Sequence, residues 1–141
     1  MSIISGSSIA ASGNYSSDFD IRPILKMLEQ ELYVDAIDEL HYELDYDPDN
    51  ADILSLLGYS YRKTQNYEDA LTFYEWALNA KPDHLGANEY LGELYLDTNR
   101  LDKAEQQLKI LSNMKKKTIT KEEAQIVRVS RYFRKSNDAS C

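Results

Sequence analysis

Two histidines and one cysteine are all the imidazole and thiol this chain offers. His41 falls inside an expected helix and His84 in an expected turn. Neither stands in a spacing that would arm a nucleophile, hold a metal or cradle a phosphate. Cys141 is the last residue, and a lone thiol makes neither an internal disulfide nor a thiolate cluster. Twenty-four Asp and Glu residues could in principle supply acid–base pairs. Their spacing spreads them over solvated helical faces instead. Nor is there a glycine-rich phosphate loop. The expectation is that the chain is not an enzyme, with no catalytic residue, no metal ligand and no cofactor. Its chemistry has to be that of a surface.

The charge on that surface is uneven. Residues 115–141 carry 8 Lys/Arg and 3 Asp/Glu, which leaves 8 and 21 of the chain's 16 and 24 to residues 1–114. An acidic bulk argues against general nucleic-acid binding, because phosphate contact needs clustered Lys and Arg. The basic end reads either as a partner surface or as a solvated helix end. No apolar stretch approaches the ~20 residues of a membrane-spanning helix.

The elements that carry these residues follow from self-similarity. At a shift of 34 residues Tyr33, Tyr67 and Leu101 coincide, as do Ala36, Ala70 and Ala104, and Leu40, Tyr74 and Leu108. Leu57-Gly58 meets Leu91-Gly92, Tyr61 meets Tyr95, and Asp47-Pro48-Asp49 meets Lys81-Pro82-Asp83. A period of this length indicates stacked helix–turn–helix units. Local signals agree. Asn50 suits the N-cap of a helix carrying Ile53, Leu54, Leu57 and Tyr61 at helical spacing. Thr64-Gln65-Asn66 ends that helix, and Pro82 stops the next one, because proline lacks the backbone donor a continuing helix needs. Gly58 and Gly92 lie inside helices at a cost of ~1 kcal/mol each relative to alanine. Their recurrence points to a close approach by the second helix of the same unit, which the small Ala70 and Ala104 also fit. The spacing predicts helices near 21–31, 33–45, 51–64, 67–80, 85–97, 101–114 and 121–134, with no strand.

Leu57-Gly58, Tyr61, Ala70, Tyr74, Ala77 and Pro82 stand at the signature spacings of the tetratricopeptide repeat, and the chain resembles that family over about residues 17–115. The unit 51–84 matches nearly every signature position. The unit 85–118 keeps Leu91, Gly92, Tyr95 and Ala104 but has Asn88 where a large apolar residue is usual. The unit 17–50 is degenerate, with Pro23, Ile24 and Met27 in place of Leu, Gly and Tyr. The run from His84-Leu85-Gly86 to Leu91-Gly92-Glu93 is also similar to small bacterial members of the family. Many of those carry cysteines after the third repeat, which this chain lacks. The resemblance implies an all-α fold, a right-handed superhelix of about seven helices. It also implies a function in binding a protein or peptide partner.

The concave groove is where such repeats usually hold a peptide. Carried over by the family's spacings, its lining is Ile21, Leu25, Leu28 and Glu29 in the first unit. The second contributes Asp52, Ser55, Tyr59, Arg62 and Lys63, and the third Glu89, Glu93, Leu96 and Asp97. This implies an apolar first third, a basic centre at Arg62 and Lys63, and an acidic last third. Tyr59 and Arg62 are expected to meet the partner, Arg62 forking onto a carboxylate. The Lys and Asn residues with which one subgroup grips chaperone C-termini are absent. Ile21, Leu25, Leu56, Gly86 and Tyr90 stand at those positions, so chaperone tails are not the expected ligand. An interaction module, an export chaperone of the secretion type and a weakly self-associating structural module all fit this reading.

Thr120 and Glu123 form a capping box. Ile126, Val129 and Phe133 share one face of the helix that would follow, in phase with the repeat. Residues 120–135 are therefore expected to cap the array. The stretch Asn113–Ile119 is expected to be a loop. Residues 1–16 and 136–141 are expected to be disordered, and residues 17–135 to form one domain. The small, polar start does not read as a signal peptide.

Overall fold

The computed structural model describes residues 20–117, with side chains through residue 114. The expected cap at 120–135 and both expected disordered ends lie outside the described residues. Among the described residues there are six helices and no strand: α1 (Arg22–Glu29), α2 (Tyr33–Tyr46), α3 (Ala51–Lys63), α4 (Tyr67–Ala80), α5 (Leu85–Asp97) and α6 (Leu101–Lys117). They pack as the pairs α1–α2, α3–α4 and α5–α6. Consecutive pairs stack through α2 on α3, α4 on α5 and α3 on α5. This is the all-α repeat solenoid that the spacing predicts.

The turns inside the pairs repeat as faithfully as the helices. Glu31, Gln65 and Asn99 adopt positive φ values of 60°, 64° and 56°. After each, the next backbone N–H reaches back to close the helix end, Leu32 to Met27 at 2.9 Å, Asn66 to Tyr61 at 2.9 Å and Arg100 to Tyr95 at 2.7 Å. These are Schellman closures built on side chains other than glycine. Helix starts are capped in three ways. Asn50 accepts from the Asp52 and Ile53 N–H groups, both at 3.1 Å. Asn66 caps α4 through Asp69. His84 caps α5 by accepting from Ala87 N–H at 2.9 Å.

The helix α6 corrects one expectation. It continues to Lys117, where a loop was expected from Asn113. The stretch Met114-Lys115-Lys116-Lys117 contains no proline or glycine, and lysine both favours helix and suits the negative end of its dipole.

Gly58 explains the closest contact in the core. A Cβ there would lie 2.5 Å from two ring carbons of Tyr74 on α4. The Tyr74 ring is itself fully buried. The glycine therefore makes room for an aromatic ring. At Gly92 the nearest atom would be Gln107 Cγ at 3.4 Å, an ordinary contact. Ala36, Ala70 and Ala104 are all fully buried, as their recurrence requires.

The third unit has a polar interior. Asn88 is buried, donates to the Pro82 and His84 carbonyls at 3.1 and 3.0 Å, and accepts from the Gln107 amide. Asn88 and Gln107 stand one repeat beyond Leu54 and Phe73. Two apolar core positions have become a matched hydrogen-bonding pair, so each buried amide is partnered.

Candidate functional site

The seam between α3 and α5 gathers the densest set of polar and aromatic side chains. Tyr59 sits at its centre, half-buried. Its ring lies 5.0 Å from Tyr90 on α5 and 6.3 Å from Tyr33 at the start of α2. The Lys63 ammonium stands 5.8 Å above the Tyr59 ring and 5.9 Å above Tyr33, within range of a cation–π attraction. Burial pushes the Tyr59 hydroxyl up to about 12, and burial raises Tyr90 as well.

Arg62 lies beneath this surface. Its Nη2 donates to Glu93 and its Nη1 to Asp97 at 2.7 Å, and its side chain is only 10% exposed. Burial alone would lower its pKa, but the surrounding Tyr74, Glu93 and Asp97 oxygens more than reverse that, so it stays charged. Each carboxylate meets Arg62 through one oxygen, Glu93 Oε2 and Asp97 Oδ2. Arg62 is thus a clamp between the second and third units. The expected basic centre is in this respect corrected, because both terminal nitrogens of Arg62 are occupied within the chain. Lys63, exposed at the end of the same helix, remains as the cation on the surface.

The other expected lining residues divide by burial. Leu25 is half-buried and packs on the core, while Leu28 is inside it. Ser55, Glu89 and Leu96 are buried. Asp52 is half-buried and accepts from His84 Nε2 at 2.8 Å. Since His84 Nδ1 accepts from Ala87 N–H, the proton sits on Nε2 and the ring is the tautomer that Asp52 requires. Asp52 and His84 therefore tie α3 to the turn before α5. Glu93 and Asp97 reach the surface, 29% and 36% exposed, and both are bound to Arg62, whose guanidinium lies 5.9 Å from the Tyr59 ring. Tyr90, which stands at one of the chaperone-clamp positions, and Tyr33, which the groove spacings did not include, join Tyr59 here. Tyr33 starts a second helix, and its contacts with the Tyr59 ring and the Lys63 ammonium bring it in.

Among the described residues no three His, Cys, Asp or Glu side chains stand close enough to hold a metal ion. No described helix is long and apolar enough to cross a membrane. What the seam offers is an amphipathic aromatic surface that carries the Lys63 ammonium and the partly exposed carboxylates of Glu93 and Asp97.

Comparison with known proteins bears on the fold. The family model for the tetratricopeptide repeat matches residues 28–75 and again 56–111. The uncharacterized protein ycf37 of Guillardia theta is 34% identical over 82 residues, which is 55% of this chain and 46% of that protein. The chain thus spans less than half the length of this curated relative. Among solved structures, MamA 41-end from Desulfovibrio magneticus RS-1 superposes with a TM-score of 0.66 at 17% identity, covering 70% of this chain and 56% of that one. A MamA D159K mutant gives 0.58 at 22%, covering 82% and 67%. Identities this low show a shared fold.

Proposed function

This chain belongs to the tetratricopeptide-repeat family, and we propose that it works as a binding module, holding a segment of another protein against the face shared by α3 and α5. One observation carries this reading. Tyr59 is left half-buried where two repeats meet, with Lys63 above its ring and with Arg62, 5.9 Å from that ring, holding Glu93 and Asp97. Amphipathic aromatic residues flanked by charge are enriched at binding hot spots. The fitting ligand lays an apolar side chain on Tyr59. It turns a carboxylate to Lys63 and a donor to the second oxygens of Glu93 and Asp97. Leu25 extends the apolar surface toward the first unit.

Affinity capture from the native organism tests this with three forms of the protein. The parent and Arg100→Glu, in the turn between α5 and α6, should retain the same partner. Lys63→Glu should lose it while keeping the parental helical spectrum and melting temperature. Equal recovery by all three moves the partner off this face.

A further inference from the structure

The repeat also places apolar side chains where no neighbour covers them. Tyr42 on α2, Trp76 on α4 and Ile110 on α6 are spaced by the 34-residue period, and they are 56%, 50% and 44% exposed. Three second helices thus each present one large apolar side chain from the same position. Scattered exposed apolar residues are ordinary, but a repeated series with a tryptophan in it is not. The helices that carry the first two are packed together through a buried aromatic contact. His41, next to Tyr42, meets Phe73 at 5.5 Å, and Phe73 meets the Trp76 ring at 5.3 Å. Tyr46 adds to the patch, its hydroxyl 2.8 Å from that of Tyr42. Beside Trp76 an open cavity of about 610 Å³ is lined by Pro48, Asp49, Leu54, Asn79 and Ala80. It joins the C-terminal ends of α2 and α4.

The two helices that carry Tyr42 and Trp76 bear charge of one sign, whereas Lys81 follows α4 and Lys109 adjoins Ile110 on α6. Neither α2 nor α4 contains a lysine or arginine. Asp38, Glu39, Asp45 and Asp49 on the α2 side and Glu75 on α4 are all exposed. The face differs from the α3–α5 seam, where cations and carboxylates mix. We propose that it is a second docking surface, and that its occupant is a basic amphipathic segment of a partner protein. An apolar anchor of that segment enters the cavity beside Trp76, and its Lys and Arg residues meet the flanking carboxylates. The argument is charge complementarity around an aromatic floor, since Trp and Tyr attract cations with their ring faces as well.

Trp76 is the only tryptophan in the chain, so its emission reports on this surface alone. The probe is a short helical peptide of leucine and lysine, titrated into the full-length protein. Saturable blue-shifted Trp76 emission, weakened by added salt, is the expected result. A leucine–glutamate peptide and a serine–lysine peptide should leave the emission unchanged. With dye-labelled peptide read by anisotropy, Trp76→Ser and the pair Asp45→Lys with Glu75→Lys should each bind at least about tenfold more weakly, the scale of a lost hot spot. Lys63→Glu should bind as the parent does. No saturable shift, binding of the serine–lysine peptide as tight as that of leucine–lysine, or loss only in Lys63→Glu would each overturn the proposal. Two further results would replace the occupant and so also overturn it. Emission of the free protein that is already blue, and reddens when Arg128, Arg131 and Arg134 are changed to Gln, assigns the surface to the chain's own basic end. A blue shift that grows with protein concentration alone assigns it to a second copy.

Discussion

Gly58 and Gly92 occupy the same repeat position, yet alanine should act on them in opposite directions. A helix-interior Gly→Ala change gains about 1 kcal/mol from propensity alone. At Gly92 little opposes that gain, because the new Cβ would meet Gln107 Cγ at 3.4 Å and Cβ at 3.7 Å. At Gly58 the Cβ would stand 2.5 Å from Tyr74 Cδ1 and Cε1 and 3.0 Å from Cγ. Carbon atoms rest at about 3.5–4.0 Å, so the ring has to retreat by about 1 Å. Tyr74 is fully buried, with no open space to retreat into. Overpacking of this kind costs about 1–3 kcal/mol or more, which outweighs the propensity gain. Gly58→Ala should therefore lose about 1–2 kcal/mol while Gly92→Ala gains about 0.5–1 kcal/mol. Urea unfolding followed by circular dichroism reads the difference. With slopes of about 1–3 kcal/mol per molar urea, the two midpoints should separate by roughly 1 M. A Gly58→Ala midpoint at or above that of Gly92→Ala would refute the close contact between α3 and α4.

The clamp predicts that Arg62→Glu unfolds the protein more readily, by about 2–4 kcal/mol, since it puts a third carboxylate in a site only 10% exposed, beside Glu93 and Asp97 and without their cation. An unchanged thermal melt would show that Glu93 and Asp97 do not need it. Gln65→Gly should stabilise by about 0.5–1 kcal/mol, because glycine adopts the φ of 64° without the strain a side chain imposes. A lower urea midpoint in that variant would contradict the turn geometry. Alkaline stability follows from the tyrosines. Burial holds Tyr59 up to about 12, and raises Tyr74 and Tyr90 also, against about 10 when unfolded. Groups raised on folding stabilise fully below the unfolded value and lose that contribution as pH climbs through the folded one. Stability should thus fall from about pH 10 upward, with phenolate absorbance and loss of helical signal rising together near 12. Phenolate formation complete by pH 11 with the helix intact would contradict the burial.

Repeat spacing made the helices legible because each unit restates the same caps, stops and stripes. Asn50 and Pro82 mark boundaries by local chemistry, and the structure follows them. The extension of α6 was missed because the helix was ended near residue 114, one repeat beyond the end of α4. Among helix-favouring lysines nothing breaks the chain. The Arg62 clamp was illegible for a different reason. Arg62, Glu93 and Asp97 were each placed at the groove by spacing, but whether a charge faces solvent or its neighbour depends on distances between repeats. Those distances come from packing, here of Tyr59, Tyr74 and Tyr90 around the guanidinium. The Asn88–Gln107 pair did leave a trace. Both replace apolar residues of the preceding unit, and aligning the units with partner positions in view exposes the exchange. His84 left none, since its role as cap and as partner to Asp52 rests on a tautomer and on proximity.

The central claim is that the face shared by α3 and α5 holds the partner. Amide hydrogen exchange on the captured complex tests it most directly. Exposed and half-buried positions along that face should gain protection, centred on the last turn of α3 at Tyr59–Lys63 and on Glu93–Asp97 of α5. Protection confined to α2 and α4, with those two segments exchanging as they do in the free protein, would contradict it.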